Sequence, residues 1–311
     1  MSIHNIIKMP QSDVDNKFNG KVLIFDCNNI GYITAYSTIY KDYSDNGVFE
    51  IWKSTFLKRI TDIIKDHNPD KVIMAFDSTS WRYSIFDTYK SGRKQRSQSG
   101  KCPLDIDSFK IALDEMREFL KETFTNIRVM KVEKAEADDI IAVLSKFVLT
   151  DENQKVIIVS TDSDLTQLTS NKNVSQYDPI KTKMFNSLNP KQDLKVKILS
   201  GDSSDSIPPI KKGVGPKTAE KILKEGFDTY VESLKTQLEK NTVIKKYELN
   251  KKLIDFNFIP LDVRNNIIKT YNEYEIIPLN SKQIFTVFMK NKLHRIRKEW
   301  TILSKYFKKL H

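Results

Sequence analysis

The chain has 311 residues, 39% of them hydrophobic, enough to bury a sizeable core in one large domain or two of ordinary size. Lys and Arg outnumber Asp and Glu by 51 to 40, and the resulting net charge of +11 suits a polyanionic partner. With only Cys27 and Cys102 there is no basis for a disulfide framework or a cysteine-based zinc site, and no apolar run is long enough to cross a bilayer.

Residues 1–20 are polar, lack a signal-like apolar segment and read as an extension ahead of the first strand, Val22–Asp26. A helix follows around Ile51–His67, where Phe56, Ile60, Ile63 and Ile64 recur at helical spacing. Lys71–Asp77 is the second strand. Leu104–Thr123 is a helix with Ile106, Phe109, Leu113, Met116 and Leu120 on one face. Ile127–Val132 is the third strand, and a helix starting near Ala135 carries Ile140, Ile141, Leu144 and Phe147. Lys155–Ser160 is the fourth strand and Asn173–Tyr177 a weaker fifth. Beyond about 185 the pattern turns helical, with Pro190 and Pro216 placed to begin helices. Strands alternating with helices predict an α/β fold, a Rossmann-like, mostly parallel sheet flanked by helices. The expected organisation is an α/β core over 1–185 and a helical portion over 186–311.

Acidic residues recur where strands end. Asp26 and Asp77 close the first two strands, and Asp162 and Asp164 follow the fourth. Glu136, Asp138 and Asp139 open the helix after the third strand, and Asp202 and Asp205 sit in a loop after the helix Leu194–Leu199. Parallel strands end on one sheet edge, where ligands bind in open α/β folds. So many carboxylates together resist joint ionisation. Hard divalent cations relieve this, and an all-oxygen donor set favours Mg²⁺ or Mn²⁺. Two such ions roughly 3.5–4 Å apart can flank a scissile phosphate. Taken singly, an Asp at a strand end is more often a cap or turn residue, and Asp139 and Asp202 fit that description as well. The spacing of an EF-hand is absent. The four histidines (His4, His67, His294, His311) do not sit beside a candidate nucleophile, so Ser–His–Asp or Cys–His chemistry is not expected.

Basic residues complement the acids. Between Arg82 and Lys101 lie Arg82, Lys90, Arg93, Lys94, Arg96 and Lys101 against one acid, Asp87, with Trp81, Tyr83, Phe86 and Tyr89 among them. Guanidinium and ammonium groups hold phosphates, and aromatic faces stack on unpaired bases. Lys211–Lys224 contains Gly213 and Gly215 in a tight turn, then Pro216 opening a helix with Lys217 and Thr218 in its first turn; Lys212 precedes it. Backbone N–H groups at such a helix start bind phosphate without reading bases. The spacing is not that of a Walker loop. The last segment, Ser281–His311, reads as amphipathic helices, and Met289–His311 holds eight basic residues and one acid. Its apolar residues Ile296, Trp300, Leu303, Phe307 and Leu310 predict docking on the core more readily than contact with a duplex.

In this order the strings IFDCNN, AFD with WR and YKSGR, EKAEADD, STDSDL, GDSSDSIP and GVGPKTAEKIL resemble the flap endonuclease family of five-prime nucleases, most closely its phage ribonuclease H type, over roughly Lys21–Phe227. The resemblance implies a PIN-like core with two Mg²⁺ ions, Mn²⁺ substituting. It places Asp26, Asp77, Glu136 and Asp138 around the first ion, Asp162 between the two, and Asp164 and Asp205 at the second, with Asp139 and Asp202 in support. Lys90 and Arg93 would hold the scissile phosphate with help from Arg82. Tyr89, Lys94 and Arg96 would line an arch, about 78–103, that passes a single-stranded five-prime end. Residues 207–225 would form a helix-hairpin-helix that grips duplex DNA and can take a K⁺ ion. The implied reaction is hydrolysis near the five-prime ends of flaps, nicked or gapped DNA and RNA–DNA hybrids, removing RNA primers. The setting is the cytoplasm of an infected bacterial host. A monomer is expected, working with replication proteins such as a single-strand-binding protein, without a membrane. The clamp-binding tail of cellular relatives is missing, so docking on a sliding clamp is not expected. A PIN-type ribonuclease for single-stranded RNA and a non-catalytic junction binder are the alternatives. The hairpin counts against the first and the full acidic set against the second.

Overall fold

In a computed structural model, residues 20–39, 48–92, 104–148, 154–185, 187–291 and 293–310 are described. The segment 1–19 and the basic residues Arg93, Lys94, Arg96 and Lys101 lie outside them. Six strands form one sheet: β1 (Lys21–Asp26), β2 (Lys71–Phe76), β3 (Arg128–Lys131), β4 (Lys155–Val159), β5 (Val174–Asp178) and β6 (Lys183–Phe185). Their order is β3-β2-β1-β4-β5-β6, parallel throughout except that β6 runs antiparallel to β5. The five strands expected from the sequence are present. Strand β6 gave no pattern to read because all three of its residues are exposed.

The helices are α1 (Cys27–Ile39), α2 (Val48–His67), α3 (Ile106–Thr123), α4 (Ala137–Phe147), α5 (Pro190–Ser200), α6 (Pro216–Glu225), α7 (Phe227–Glu232), α8 (Gln237–Ile254), α9 (Leu261–Asn272), α10 (Ser281–Lys290) and α11 (His294–Phe307). Pro190 and Pro216 do open α5 and α6, where a missing N–H costs nothing. Helix α1 was not expected. Its sequence, CNNIGYITAYSTI, is rich in β-branched residues and lacks a polar stripe because it is enclosed by α2, α3 and the sheet. Thr34 and Thr38 satisfy their hydroxyls inside the helix, donating to the carbonyls of Ile30 and Thr34 at 2.8 and 2.7 Å.

Strand residues are buried on both faces, as a parallel sheet covered on two sides requires. Leu23, Phe25, Met74 and Val159 point into one layer with α1, α2 and α3; Val22, Ile24, Ile73 and Ile158 point into the other with α4 and α9. Helices α10 and α11 dock on the first layer, as their amphipathic pattern predicts. Phe288 and Phe307 are fully buried there, and Phe307 stacks on Phe124 at 4.9 Å between centroids. Helices α5 to α8 enclose a smaller cluster built on Leu199, Val214, Ala219, Ile222 and Val243. Between that lobe and the sheet, Tyr89 packs with Ile198, Ile207, Leu253 and Ile254. Phe288→Ala and Phe307→Ala should each cost about 3–5 kcal/mol. Ile302→Ala, at a position 57% exposed, should cost little. Chemical denaturation measures both; equal midpoints for all three would refute the docking.

Candidate metal and active site

The strand order reverses beside β1, since the chain lays β2 and β3 on one side of it and β4 on the other. That reversal opens a crevice at the carboxyl ends of β1 and β4, the usual ligand position in such sheets. Asp26 ends β1 there, 4% exposed. Its Oδ1 accepts the Asn29 N–H at 3.0 Å and its Oδ2 the Ser160 hydroxyl at 2.9 Å. Asp162 follows β4 and accepts the Asp164 N–H at 2.9 Å. Asp77 follows β2, and its Oδ1 accepts the Ala137 N–H at the start of α4 at 2.7 Å. That contact brings the acids on α4 to the strand ends.

Two residues hold this edge that sequence reasoning quoted only as part of a string. Asn28 accepts the N–H of Asp77 at 3.0 Å, and Asn29 accepts the N–H and hydroxyl of Thr161 at 3.0 and 3.1 Å. The first turn of α1 thus clamps the ends of β2 and β4 on either side of Asp26. The available signal was a pair of side-chain amides two and three residues after a strand-ending Asp.

Asp26, Asp77, Asp138 and Asp162 act on one another. Burial, then Asp77 and Asp162, push the Asp26 carboxyl up to about 7. Burial, then Asp162 and Asp26, push Asp138 well up. Asp164, Asp202 and Asp205 form a second group, with one carboxylate oxygen from each within 4.8 Å of the others. Burial takes Asp164 up to about 6, against the pull of Lys197. The loop that supplies Asp202 and Asp205 turns at Gly201, whose φ is +72°. A Cβ there would meet the Ile207 carbonyl oxygen at 2.4 Å, so the turn requires glycine. Asp202 and Ile207 then exchange backbone hydrogen bonds of 2.8 Å across it.

Cationic and hydroxyl groups answer the acids. Lys197, on α5, contacts Asp164 and lies 2.7 Å from Asp202; it was not singled out in the sequence. Lys90 pairs with Glu136 Oε1. Arg82 is 3% exposed and spends its guanidinium inside the protein. It bonds Glu136 at 2.8 Å, Asp139 at 2.9 and 3.0 Å, and the Leu253 carbonyl at 2.8 Å. Glu136 Oε2 also accepts Ser80 at 2.7 Å and lies 3.0 Å from the Tyr89 hydroxyl. Burial alone would raise the Glu136 carboxyl, but Lys90 and Arg82 outweigh it and hold it at about 2. Asp139, fully buried, further accepts the Trp81 indole at 3.2 Å and the Glu136 N–H at 3.1 Å. Of the site residues expected from the sequence, Asp26, Asp77, Asp138, Asp162, Asp164, Asp202 and Asp205 lie in the two acidic groups. Glu136, Asp139, Arg82, Tyr89 and Lys90 form a network beside them. Arg93, Lys94 and Arg96 are outside the described residues.

The hairpin from the acidic loop to α6 has Gly213 at φ +90° and Gly215 capping α6. Lys212, Lys217 and Thr218 are exposed around it, while Val214 is buried and anchors the turn. It therefore presents polar groups outward from a fixed base.

Comparison with known proteins agrees with this arrangement. Residues 21–203 match the family model described as 5'-3' exonuclease, N-terminal resolvase-like domain. The chain belongs to the 5'-3' exonuclease family. Residues 188–301 match the C-terminal model of phage T4 ribonuclease H. The ribonuclease H of Enterobacteria phage T4 is 29% identical over 253 residues, covering 73% of this chain and 77% of that protein. DNA polymerase I of Bacillus subtilis is 33% identical over 251 residues, 76% of this chain but only 26% of the polymerase. A bacteriophage T5 flap endonuclease, solved with DNA and metal ions, shares the fold at a TM-score of 0.63 and 18% identity, covering 82% of this chain and 98% of that one.

The raised carboxyls imply a pH dependence for the cation-free protein. A group that holds its proton more tightly when folded stabilises fully below its ordinary value and loses that contribution as pH rises through the folded one. For Asp26 the window runs from 3.8 to about 7. Glu136 acts oppositely, but only below its ordinary 4.5. In chelator, the melting temperature should therefore fall between about pH 5 and pH 8, and Asp26→Asn should flatten the slope. His67, lowered by burial, pulls the other way in both proteins and cancels in the comparison. A wild-type slope no steeper than the variant's would contradict the assignment.

Proposed function

We propose that the protein is a structure-selective five-prime nuclease that hydrolyses phosphodiesters near the five-prime ends of RNA–DNA or DNA duplexes, flaps and nicks, using two divalent cations. Its biological task in this reading is RNA primer removal during phage DNA replication, in the cytoplasm of the infected host. The observation that carries it is the gathering of Asp26, Asp77, Asp138 and Asp162 at the sheet edge and of Asp164, Asp202 and Asp205 within 4.8 Å of one another, with Asp26, Asp138 and Asp164 all raised. The donor set fits hard cations, because every donor is a carboxylate oxygen and joint ionisation is opposed until positive charge arrives. Asp26, Asp77, Asp138 and Asp162 would hold one ion, and Asp164, Asp202 and Asp205 the other; Mg²⁺ is the expected metal and Mn²⁺ a substitute. Bound there, the ions would supply Lewis-acid stabilisation of charge on the reacting phosphate.

The chain's own groups position the substrate. Lys90, beside the first group and paired with Glu136, is placed to take a phosphate, with Arg93 continuing the same segment. Arg82 acts through Glu136 and Asp139 rather than on substrate. The start of α6, with Lys212, Lys217 and Thr218, offers N–H and cationic groups to a duplex backbone. A K⁺ ion at that hairpin, action as a monomer and contact with a single-strand-binding protein belong to the same reading. The phage ribonuclease H and flap endonuclease relatives point the same way.

A five-prime-flap DNA and a nicked RNA–DNA duplex incubated in Mg²⁺ and in chelator test the proposal. Short five-prime products should appear only with metal and fall on the order of 100-fold or more in Asp138→Asn and Asp162→Asn. Binding without cleavage under any metal would refute it. Lys197 gives a second test, since its ammonium occupies the oxygens a cation would take. Lys197→Met should raise Mn²⁺ affinity at the second group by about tenfold, or ~1.4 kcal/mol, in calorimetry. Weaker Mn²⁺ binding would instead make Lys197 a support for that group.

A further inference from the structure

Tyr89 joins the two halves of the site. Its ring is 3% exposed and packed among Ile198, Ile207, Leu253 and Ile254, edge-on to Tyr83 at 5.5 Å. Its hydroxyl lies 3.0 Å from Glu136 Oε2 and 3.1 Å from Asp205 Oδ2. A phenol has one proton to give. Glu136 Oε2 already accepts from Arg82 and Ser80, and its other oxygen meets Lys90. The phenolic proton is therefore best used on Asp205, with Glu136 as the fixed wall behind it.

The neighbouring backbone repeats the link. The Lys90 N–H donates to the Asp205 carbonyl at 2.8 Å, and the Gly92 N–H to the Ser206 hydroxyl at 3.0 Å. Lys90 and Ser206, one in each of the two linked segments, have φ of +56° and +62°, a left-handed conformation that residues with a Cβ adopt only when their surroundings hold them. The segment bearing the phosphate-holding Lys90 and the loop bearing Asp202 and Asp205 are thus one mechanical unit.

We infer that Tyr89 is a positioning residue whose hydroxyl sets Asp205 in the second carboxylate group and couples cation binding there to nucleic-acid binding at Lys90. The inference rests on the functional reading above. It differs from the sequence expectation, in which the same tyrosine lines an arch by its aromatic face. Coupling of this kind is reciprocal: whatever one ligand gains from the other, the other gains equally.

Tyr89→Phe in the full chain separates the two roles, since it keeps the ring and its packing and removes only the oxygen. Three measurements are made on both proteins. They are Mn²⁺ titration by calorimetry without nucleic acid, flap-DNA affinity in Ca²⁺ against chelator, and steady-state cleavage. The expected result is Mn²⁺ binding weakened by about tenfold for one of two ions, the loss of a hydrogen bond to a charged group. The Ca²⁺-dependent gain in DNA affinity should shrink by the same factor, and in steady-state cleavage KM for DNA should rise by more than kcat falls. If Tyr89→Phe matches wild type in Mn²⁺ affinity and in the Ca²⁺-dependent gain, the inference fails, even if its melting temperature drops. If the wild type itself neither binds Mn²⁺ nor cleaves, the functional reading fails and takes the inference with it.

Discussion

Mutual repulsion among carboxylates is the constraint around which this structure is built. Asp26, Asp77, Asp138 and Asp162 act on one another at the carboxyl edge of a parallel sheet, where burial and proximity oppose ionisation of Asp26 and Asp138. Asp164, Asp202 and Asp205 form a second group beside them. Such a cluster can persist only if the scaffold holding it is stiff and positive charge stands close by. The chain supplies both. Asn28 and Asn29 fasten β2 and β4 to α1 on either side of Asp26, so the strand ends cannot splay apart. Lys197 brings an ammonium group to the second group, and Lys90 brings one to the margin of the first.

Arg82 plays a different part. A buried guanidinium is costly to desolvate and adds little net stability unless each donor is matched. Here Glu136, Asp139 and the Leu253 carbonyl match it, and Trp81 stacks beside it with the guanidinium carbon 4.7 Å from the ring centre. These contacts join the segment after β2, the start of α4 and the end of α8. One side chain thereby registers the sheet edge against the helical lobe, and the functional carboxylates on either side inherit that register. Glu136 is the shared member. It is held ionised by Lys90 and Arg82 while its neighbours Asp26 and Asp138 are driven toward the protonated form. Adjacent carboxyls with opposed tendencies are a mark of functional sites.

Much of the fold was legible because the relevant signals are local. Five strands announced themselves as short β-branched runs, and the strand-ending acids followed from the convergence of parallel strands on one edge. The amphipathic faces of α10 and α11 foretold their docking on the core. Helix α1 escaped because most of its residues are buried or half-buried, leaving no polar stripe to reveal its period. Strand β6 escaped because it is three residues long and wholly exposed. Lys197 escaped because a lysine in a lysine-rich helix looks like any solvated charge until α5 is placed against the second acidic group.

By itself, the sequence determined the chemistry available: hard oxygen donors at strand ends, basic residues after β2 and in a glycine-bearing hairpin, and a core large enough to hold them. These follow from residue types and spacings that each segment carries alone. Only the tertiary structure decided how the charges are shared. Arg82 and Asp139 turned inward, Asp202 joined Asp164 and Asp205, and the Tyr89 hydroxyl came to rest between Glu136 and Asp205. The partners in these contacts are separated in sequence by up to 171 residues, the span from Arg82 to the Leu253 carbonyl. Which carboxylate meets which cation depends on where packed elements leave room, and no local pattern encodes that.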